Sequence, residues 1–231
     1  MHRFELDRHY DEIQWNNIDS VLFISEAMER KFHAKGYYKG KTFVTYDNLN
    51  FEDFPLAHRK KTMQIGMLGN IEPRKGVLEF VEHFGEMKLP EIKLSIAGKT
   101  KDELYSGKIK HYIIENNLEH KITIEGYVKD LNNWYKSNDC IVSNSIHEGT
   151  QTSIVEGVAT GCWAISKDWD GAEEIVDEKG LFTNVNELEK CINLFYEWNG
   201  EERNKNIKKA REKLISKLTN RPKMHDIISK L

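Results

Sequence analysis

The 231-residue sequence has few cysteines and no long apolar run. Its three cysteines, Cys140, Cys162 and Cys191, form no C-x-x-C pair. This favours buried thiols in a reducing compartment over a disulfide framework. The apolar runs are far shorter than the roughly 20 residues of a membrane-spanning helix. The charged first residues, MHRFELDRHYDE, have no apolar segment of the kind found in signal peptides. We therefore expect a cytoplasmic protein.

An excess of basic charge and metal-binding motifs are also missing. The formal net charge is -3 and the pI is about 6.3, so nucleic acid is not an expected partner. The nine histidines form no H-E-x-x-H motif and have no cysteines at metal-binding spacing. We therefore expect neither a metal nor another cofactor. The D-x-D sequence at Asp168–Asp170 precedes Gly171, which favours a turn over a metal site.

From residue 63 onward, short apolar stretches of strand character alternate with amphipathic stretches. The helical spacing of apolar residues over 77–84 predicts a helix, and weaker patterns predict helices over 102–118 and 131–138. Strands that alternate with helices in this way predict a doubly wound, Rossmann-like parallel sheet in the α/β class. The six predicted strands cover residues 63–69, 92–98, 121–127, 140–145, 163–166 and 180–183.

The first 60 residues follow a different plan. They predict a helix through Trp15, strands over 21–25 and 42–46, and a helix over 26–34, followed by a polar linker at 47–61. Two strands and two helices are too few for an independent core. We therefore expect residues 1–60 to be the remnant of one domain and residues 61–231, which end in helices from Glu187, to form a second. Exposed apolar edges on the first two strands predict self-association or a partner chain.

The turn GNIEPRKG, which follows the strand at 63–69, places two cations before a helix. Arg74 and Lys75 are unfavourable neighbours for the positive end of a helix unless an anion binds there. Gly66 and Gly69 would allow a ligand to approach the backbone. The turn lacks the Walker and G-x-G-x-x-G patterns. It therefore fits either a phosphate site or a solvated surface turn.

The segment HEGTQTSIVEG follows the strand at 140–145, at the sheet edge where α/β proteins bind ligands. Glu156 lies three residues after Ser153, and this spacing fits a capping box. The same carboxylate could instead bind a ligand. Glu148 lies upstream in the loop beside Gly149, as either an exposed acid or an acceptor for two adjacent ligand hydroxyls.

These motifs resemble the signature of retaining glycosyltransferases of family 4, which have the GT-B fold. EGTQTSIVEGVATG is similar to the family's paired-glutamate motif, and IGMLGNIEPRKGVLEFVEHF is similar to its first donor-domain strand, phosphate-contacting turn and helix. The resemblance covers nearly the whole chain. It implies a transferase that moves a sugar from a nucleoside-diphosphate sugar, such as a UDP or GDP sugar, to an acceptor without a metal. The chain would contain the donor-binding half and the last strands of the acceptor domain.

The resemblance also implies roles for individual residues. Arg74 and Lys75 would bind the donor diphosphate, Glu156 the ribose, and Glu148 the transferred sugar. Gly69 would shape the floor of the cleft. Backbone amides of the loop before the helix would line the sugar and phosphate, and this loop consists of Gly149, Thr150, Gln151 and Thr152.

The acceptor implied by the resemblance is a glycan or a lipid-linked molecule, with peripheral membrane contact in the second case. The isolated chain could be inactive without the rest of the acceptor domain. The alternative is a non-catalytic nucleotide-sugar-binding module that needs a partner chain to supply that domain.

Overall fold

The computed structural model describes residues 3–36, 38–46, 51–57, 60–89 and 91–229. It begins with a small unit of two parallel strands packed on two helices. The Ser25 hydroxyl starts the second helix by accepting a hydrogen bond from the Met28 amide at 3.3 Å, as expected of an N-cap serine. The elements of this unit are α1 (Arg3–Arg8), β1 (Ser20–Phe23), α2 (Glu26–His33) and β2 (Lys41–Val44).

The predicted helix through Trp15 is wrong. Helix α1 ends at Arg8, and the chain continues through two short 3-10 turns, the second of which begins at Trp15. The indole nitrogen of Trp15 donates to the Tyr10 carbonyl at 3.0 Å, and the ring packs edge-on against Phe32 at 5.0 Å. Aromatic packing therefore sets the path of this segment.

The main sheet has six strands, all parallel, in the order β5-β4-β3-β6-β7-β8. This confirms the predicted doubly wound, Rossmann-like α/β fold, and the predicted strand positions agree with the structure to within one or two residues. The strands are β3 (Gln64–Leu68), β4 (Lys93–Ala97), β5 (Ile122–Gly126), β6 (Cys140–Ser143), β7 (Trp163–Lys167) and β8 (Leu181–Phe182).

Helices cover both faces of the sheet. Phe80 and Phe84 of α3 (Val77–Glu86) are fully buried on one face, and Trp134 and Tyr135 of α5 (Leu131–Lys136) are buried on the other. Although α8 is long, it is highly charged, and none of the described helices has the length and apolar character needed to cross a membrane. The helices are α3 (Val77–Glu86), α4 (Glu103–Glu115), α5 (Leu131–Lys136), α6 (Thr152–Thr160), α7 (Val185–Glu197), α8 (Gly200–Thr219) and α9 (Met224–Ile228).

The strand order reverses between β3 and β6. From β3 the chain winds outward to β4 and β5, then returns to place β6 on the other side of β3. In the described sheet, these two central strands pair at two positions, Ile65 with Cys140 and Gly66 with Ile141, whereas β3 and β4 pair at five. The carboxyl ends of β3 and β6 thus flank a crevice at the switch point, where open α/β sheets bind ligands.

One buried carboxylate accepts several of the hydrogen bonds that attach the amino-terminal unit to the main sheet. Glu174, which follows β7, accepts hydrogen bonds from the Glu26 amide at 3.0 Å, the Ala27 amide at 2.7 Å and the Tyr46 hydroxyl at 2.7 Å. The two amides belong to the first turn of α2, where a carboxylate is stabilised by the helix dipole. The unit is therefore fixed at the same sheet edge as the crevice.

The predicted linker at 47–61 is described in part, because residues 47–50 and 58–59 lie outside the described residues. Residues 51–57 contact α5 and α6: Asn132 donates to the Asp53 carbonyl at 2.6 Å, and the Ala57 amide donates to the Thr160 carbonyl at 3.2 Å. Further along, the buried carboxylate of Asp139 accepts from the Thr62 and Met63 amides. The described part of the linker is thus bound to the main domain.

Candidate functional site

The turn after β3 holds the two cations over the crevice. A 3-10 turn at Pro73–Lys75 ends at Gly76, whose φ of 60° lies in the left-handed region that glycine favours. A Cβ at Gly76 would lie 2.5 Å from the Asn144 carbonyl oxygen. The side chain of Asn144 donates to the Gly76 carbonyl at 2.8 Å. This close contact fixes the turn against the loop that follows β6.

A second pair of hydrogen bonds joins the two loops across the crevice. The Ile146 amide donates to the Arg74 carbonyl at 3.1 Å, and the guanidinium of Arg74 donates to the His147 carbonyl at 3.2 Å. These contacts bring the loop carrying Glu148 directly over Arg74 and Lys75. The sequence thus predicted both loops at one edge, and the structure places their charged side chains in contact.

Glu148, Lys75, Arg74 and Glu72 form one ion cluster. The Lys75 Nζ lies 2.5 Å from Glu148 Oε1, and Arg74 Nη1 lies 3.0 Å from Glu148 Oε2. Arg74 Nη2 is also 3.0 Å from Glu72 Oε1. The side chain of Glu148 is only 10% exposed, that of Lys75 17%. Two cations and two carboxylates therefore balance one another at the edge of the crevice.

Burial alone would raise the pKa of Glu148, but its net pKa lies below the ordinary value. The charge and hydrogen bond of Lys75, followed by the charge of Arg74 and a hydrogen bond from the Ser145 side chain, outweigh the burial. Arg74 correspondingly has a raised pKa, because the attraction of Glu148 and Glu72 exceeds the opposing effect of burial. Glu148 is therefore a carboxylate at neutral pH.

The cluster adds protein carboxylates to the sequence interpretation, which offered either an external anion or a solvated turn beside the two cations. Glu148 and Glu72 supply negative charge there, and the phosphate site stays a prediction. Glu72 was missed as a member of this site; its position two residues before Arg74 was the available signal, since the turn brings the two side chains together.

Glu156 lies on α6 with a different partner. The Tyr135 hydroxyl is 2.7 Å from Glu156 Oε2 and 3.1 Å from the Ser153 carbonyl oxygen. Burial raises the pKa of Glu156, and the hydrogen bond from Tyr135 partly opposes this increase. The predicted capping box is wrong, because α6 starts at Thr152, its N-cap is Gln151, and no side chain provides a cap hydrogen bond.

The loop between Glu148 and α6 rests on the end of β1. The Thr150 hydroxyl donates to the Ile24 carbonyl at 2.6 Å, and a Cβ at Gly149 would lie 2.5 Å from the Ile24 side chain. A larger residue at 149 would have to displace the Ile24 side chain, so the amino-terminal unit contributes to the position of the loop. Sequence patterns could not reveal this contact between residues far apart in the chain.

A small hollow lies below this loop, between Lys75, Gly69 and Gln151. Among the described residues, the side-chain oxygen of Gln151 is buried without a hydrogen-bond partner. Buried polar atoms normally have partners, so this oxygen is suited to accept a hydrogen bond from a ligand. Gly69 lines this hollow. A Cβ atom at Gly98 would lie only 1.8 Å from the carbonyl oxygen of Gly69.

The Asp168–Asp170 sequence forms a turn after β7. The Asp168 amide donates to the Phe182 carbonyl at 2.8 Å, Trp169 is buried, and Asp170 lies 3.8 Å from Arg30. Within the described ranges, no group of three or more histidine, cysteine or acidic side chains is placed to hold a metal ion.

Comparison with known proteins identifies a matching family model, related sequences and solved structures with the same fold. The family model "Glycosyl transferases group 1" matches residues 50–213. The chain is 25% identical over 189 residues to a poly(glycerol-phosphate) alpha-glucosyltransferase of Bacillus subtilis (strain 168), a match that covers 76% of this chain and 27% of that protein. The chain thus spans about a quarter of this curated relative.

Two solved structures show the same fold. TarM of S. aureus superposes with a TM-score of 0.81 at 21% identity, covering 96% of this chain and 44% of TarM. HepE of Anabaena, solved in complex with UDP and glucose, superposes with a TM-score of 0.76 at 17% identity, covering 94% of this chain and 64% of HepE.

Proposed function

The chain belongs to the glycosyl transferases group 1 family, and on this premise we propose that it binds a nucleoside-diphosphate sugar and transfers the sugar to an acceptor with retention of configuration. The observation that carries the proposal is the ion cluster of Glu148, Lys75 and Arg74 at the switch-point crevice. A UDP sugar is the favoured donor, because HepE was solved with UDP and glucose.

Lys75 and Arg74 would bind the donor diphosphate. The ammonium group of Lys75 has three protons, one of which reaches Glu148, so a phosphate oxygen can accept another. The amides at the start of α6 add donors at the positive end of that helix. As the bond to the sugar breaks, negative charge grows on the diphosphate, and these donors stabilise it without needing to rearrange.

The two glutamates would hold the rest of the donor. Glu148 is ionised at neutral pH and can accept hydrogen bonds from hydroxyls of the transferred sugar. Glu156 would accept those of the ribose. Gly149, Thr150, Gln151 and Thr152 would line the sugar and phosphate with backbone amides. Gly69 would form the floor, and its lack of a side chain keeps the hollow beside Lys75 open.

The acceptor would bind opposite the donor, against the amino-terminal unit. A glycan or a lipid-linked molecule fits the family, and the second would require peripheral contact with a membrane. We assign residues 61–231 to donor binding and residues 1–60 to the acceptor side and the linker. The edges of β1 and β2 would contact another chain.

Calorimetric titration with UDP, GDP and ADP tests donor binding. We expect UDP to bind and Lys75→Ala to weaken binding at least tenfold, because the diphosphate loses a charge-assisted hydrogen bond of about 1.5–3 kcal/mol. Lys108→Ala is the matched control, since Lys108 is an exposed lysine on α4. Absence of binding for all three nucleotides at millimolar concentration would contradict the proposal.

A further inference from the structure

Tyr135 joins α5 to α6 through the side chain of Glu156. The tyrosine is fully buried, and its hydroxyl lies 2.7 Å from Glu156 Oε2. Its ring is held between Trp134 at 5.4 Å and Phe54 at 6.2 Å, and its carbonyl accepts from the Cys162 thiol at 3.4 Å. With so many contacts, the hydroxyl has one fixed position relative to α6.

The bond to Glu156 is more than a means of satisfying a buried hydroxyl. The Ser153 carbonyl lies within reach of the same hydroxyl at 3.1 Å and could satisfy it alone. Hydrogen bonds to a carboxylate are shorter and stronger than those to a neutral carbonyl, in agreement with the shorter distance to Glu156. The tyrosine therefore acts on the carboxylate.

This bond fixes an otherwise mobile side chain. A glutamate on a helix surface samples several rotamers, and ordering it on ligand binding lowers affinity. Here Oε2 is held by Tyr135. The described residues provide no hydrogen-bond partner for Oε1, which remains available to accept a ligand hydroxyl. The side chain is thus ordered before any ligand arrives.

We propose that Tyr135 is a positioning residue that orients Glu156 to accept hydrogen bonds from the ribose hydroxyls of the donor nucleotide. The inference rests on the proposed function and names a residue that acts through Glu156 rather than on the ligand. The aromatic residue and the glutamate come from different helices, so their spacing depends on the packing of α5 against α6.

The test compares UDP with 2′,3′-dideoxy-UDP by calorimetry in the wild-type chain and in Tyr135→Phe. We expect Tyr135→Phe to weaken UDP binding about tenfold and to leave the binding of the dideoxy nucleotide unchanged. Tyr196→Phe is the matched control, because the Tyr196 hydroxyl also donates to a carboxylate, that of Asp139 at 3.3 Å, at the opposite edge of the sheet. The control should bind both nucleotides as the wild type does.

A second measurement follows the pH dependence of binding. Tyr135 is the titratable group that contacts Glu156, and Cys162 lies behind Tyr135. Because the tyrosine bond favours the ionised carboxyl, its removal makes Glu156 take up a proton at higher pH. The ratio of the UDP affinity of the wild type to that of Tyr135→Phe should therefore increase as the pH falls from 8 to 5.5. Titration of the phosphates affects both proteins equally.

The outcomes distinguish the proposed function from the positioning role of Tyr135. If the wild-type chain binds no nucleotide, the proposed function is wrong. Equal UDP affinity in the wild type and Tyr135→Phe contradicts the positioning role, as does an equal loss for UDP and its dideoxy form. If Tyr135→Phe does not fold, Glu156→Gln replaces it. That variant should lose most of the difference in affinity between UDP and the dideoxy nucleotide, and an undiminished difference would contradict the role.

Discussion

The substitution Glu148→Gln removes the central charge of the ion cluster while it keeps the shape of the side chain. Breaking a buried ion pair at one partner typically costs about 3–5 kcal/mol. The cost here should be lower, because the Lys75 and Arg74 side chains are 17% and 38% exposed and Arg74 keeps its contacts with Glu72 and the His147 carbonyl. We expect the free energy of unfolding to fall by about 2–3 kcal/mol at pH 7.

The pH dependence of this loss follows from the pKa of Glu148. Lys75 and Arg74 overcome the effect of burial and keep the pKa below its ordinary value of 4.5. A carboxyl group with a lowered pKa in the folded state adds stability above its unfolded pKa, and this stability disappears as the pH falls through the folded pKa. The difference between the wild type and Glu148→Gln should therefore be constant near neutrality and decrease below pH 4.5.

Urea unfolding followed by tryptophan fluorescence at pH 7 and pH 4 measures both quantities. Glu72→Gln is the matched control and should cost less than about 1 kcal/mol, because Glu72 contacts Arg74 near the surface. Saturating UDP should stabilise Glu148→Gln more than the wild type, since the diphosphate then supplies the missing negative charge. Equal losses for Glu148→Gln and Glu72→Gln, or the same loss at pH 4 as at pH 7, would refute this reasoning.

Three further predictions concern positions outside the ion cluster. Glu174→Ala should lower the free energy of unfolding by about 3 kcal/mol in chemical denaturation, because three donors lose their acceptor, and two of them, the Ala27 amide and the Tyr46 hydroxyl, are buried. A loss below that of Tyr46→Phe would contradict this. Gly98→Ala should abolish UDP binding in calorimetry, because its Cβ would overlap the Gly69 carbonyl at 1.8 Å; wild-type affinity would count against it. Burial raises the pKa of Cys191 to about 11. An alkylating reagent at pH 8 should therefore modify this thiol only after unfolding, as measured by mass spectrometry. Rapid labelling of the folded chain would be inconsistent with the burial of Cys191.

The strands of the main sheet could be predicted from the sequence because their signals are local. Residues 63–69 and 92–98 are short, mostly apolar stretches that end in glycine, which is typical of strands in parallel sheets buried on both faces. Both candidate loops could be assigned to one sheet edge for the same reason. Chain direction alone places the carboxyl ends of parallel strands together.

The contacts that define the site could not be predicted, because they join residues far apart in the chain. Neither the neutralisation of Lys75 by Glu148 nor the bond between Tyr135 and Glu156 has a spacing signature. The predicted capping box is wrong for a related reason. Helix α6 begins one residue earlier than Ser153, and the carboxylate of Glu156 accepts a hydrogen bond from Tyr135. The helix through Trp15 failed because aromatic packing decided the path of the chain.

The short pairing between β3 and β6 divides the main domain into two halves that are each continuous in sequence. Residues 64–126 form β3, β4 and β5, and residues 140–182 form β6, β7 and β8. The ion pair of Lys75 and Glu148 joins these halves above the two paired positions. A ligand that contacts both loops would therefore hold the two halves together at this edge, and it should slow hydrogen exchange along the seam as well as at the residues it touches.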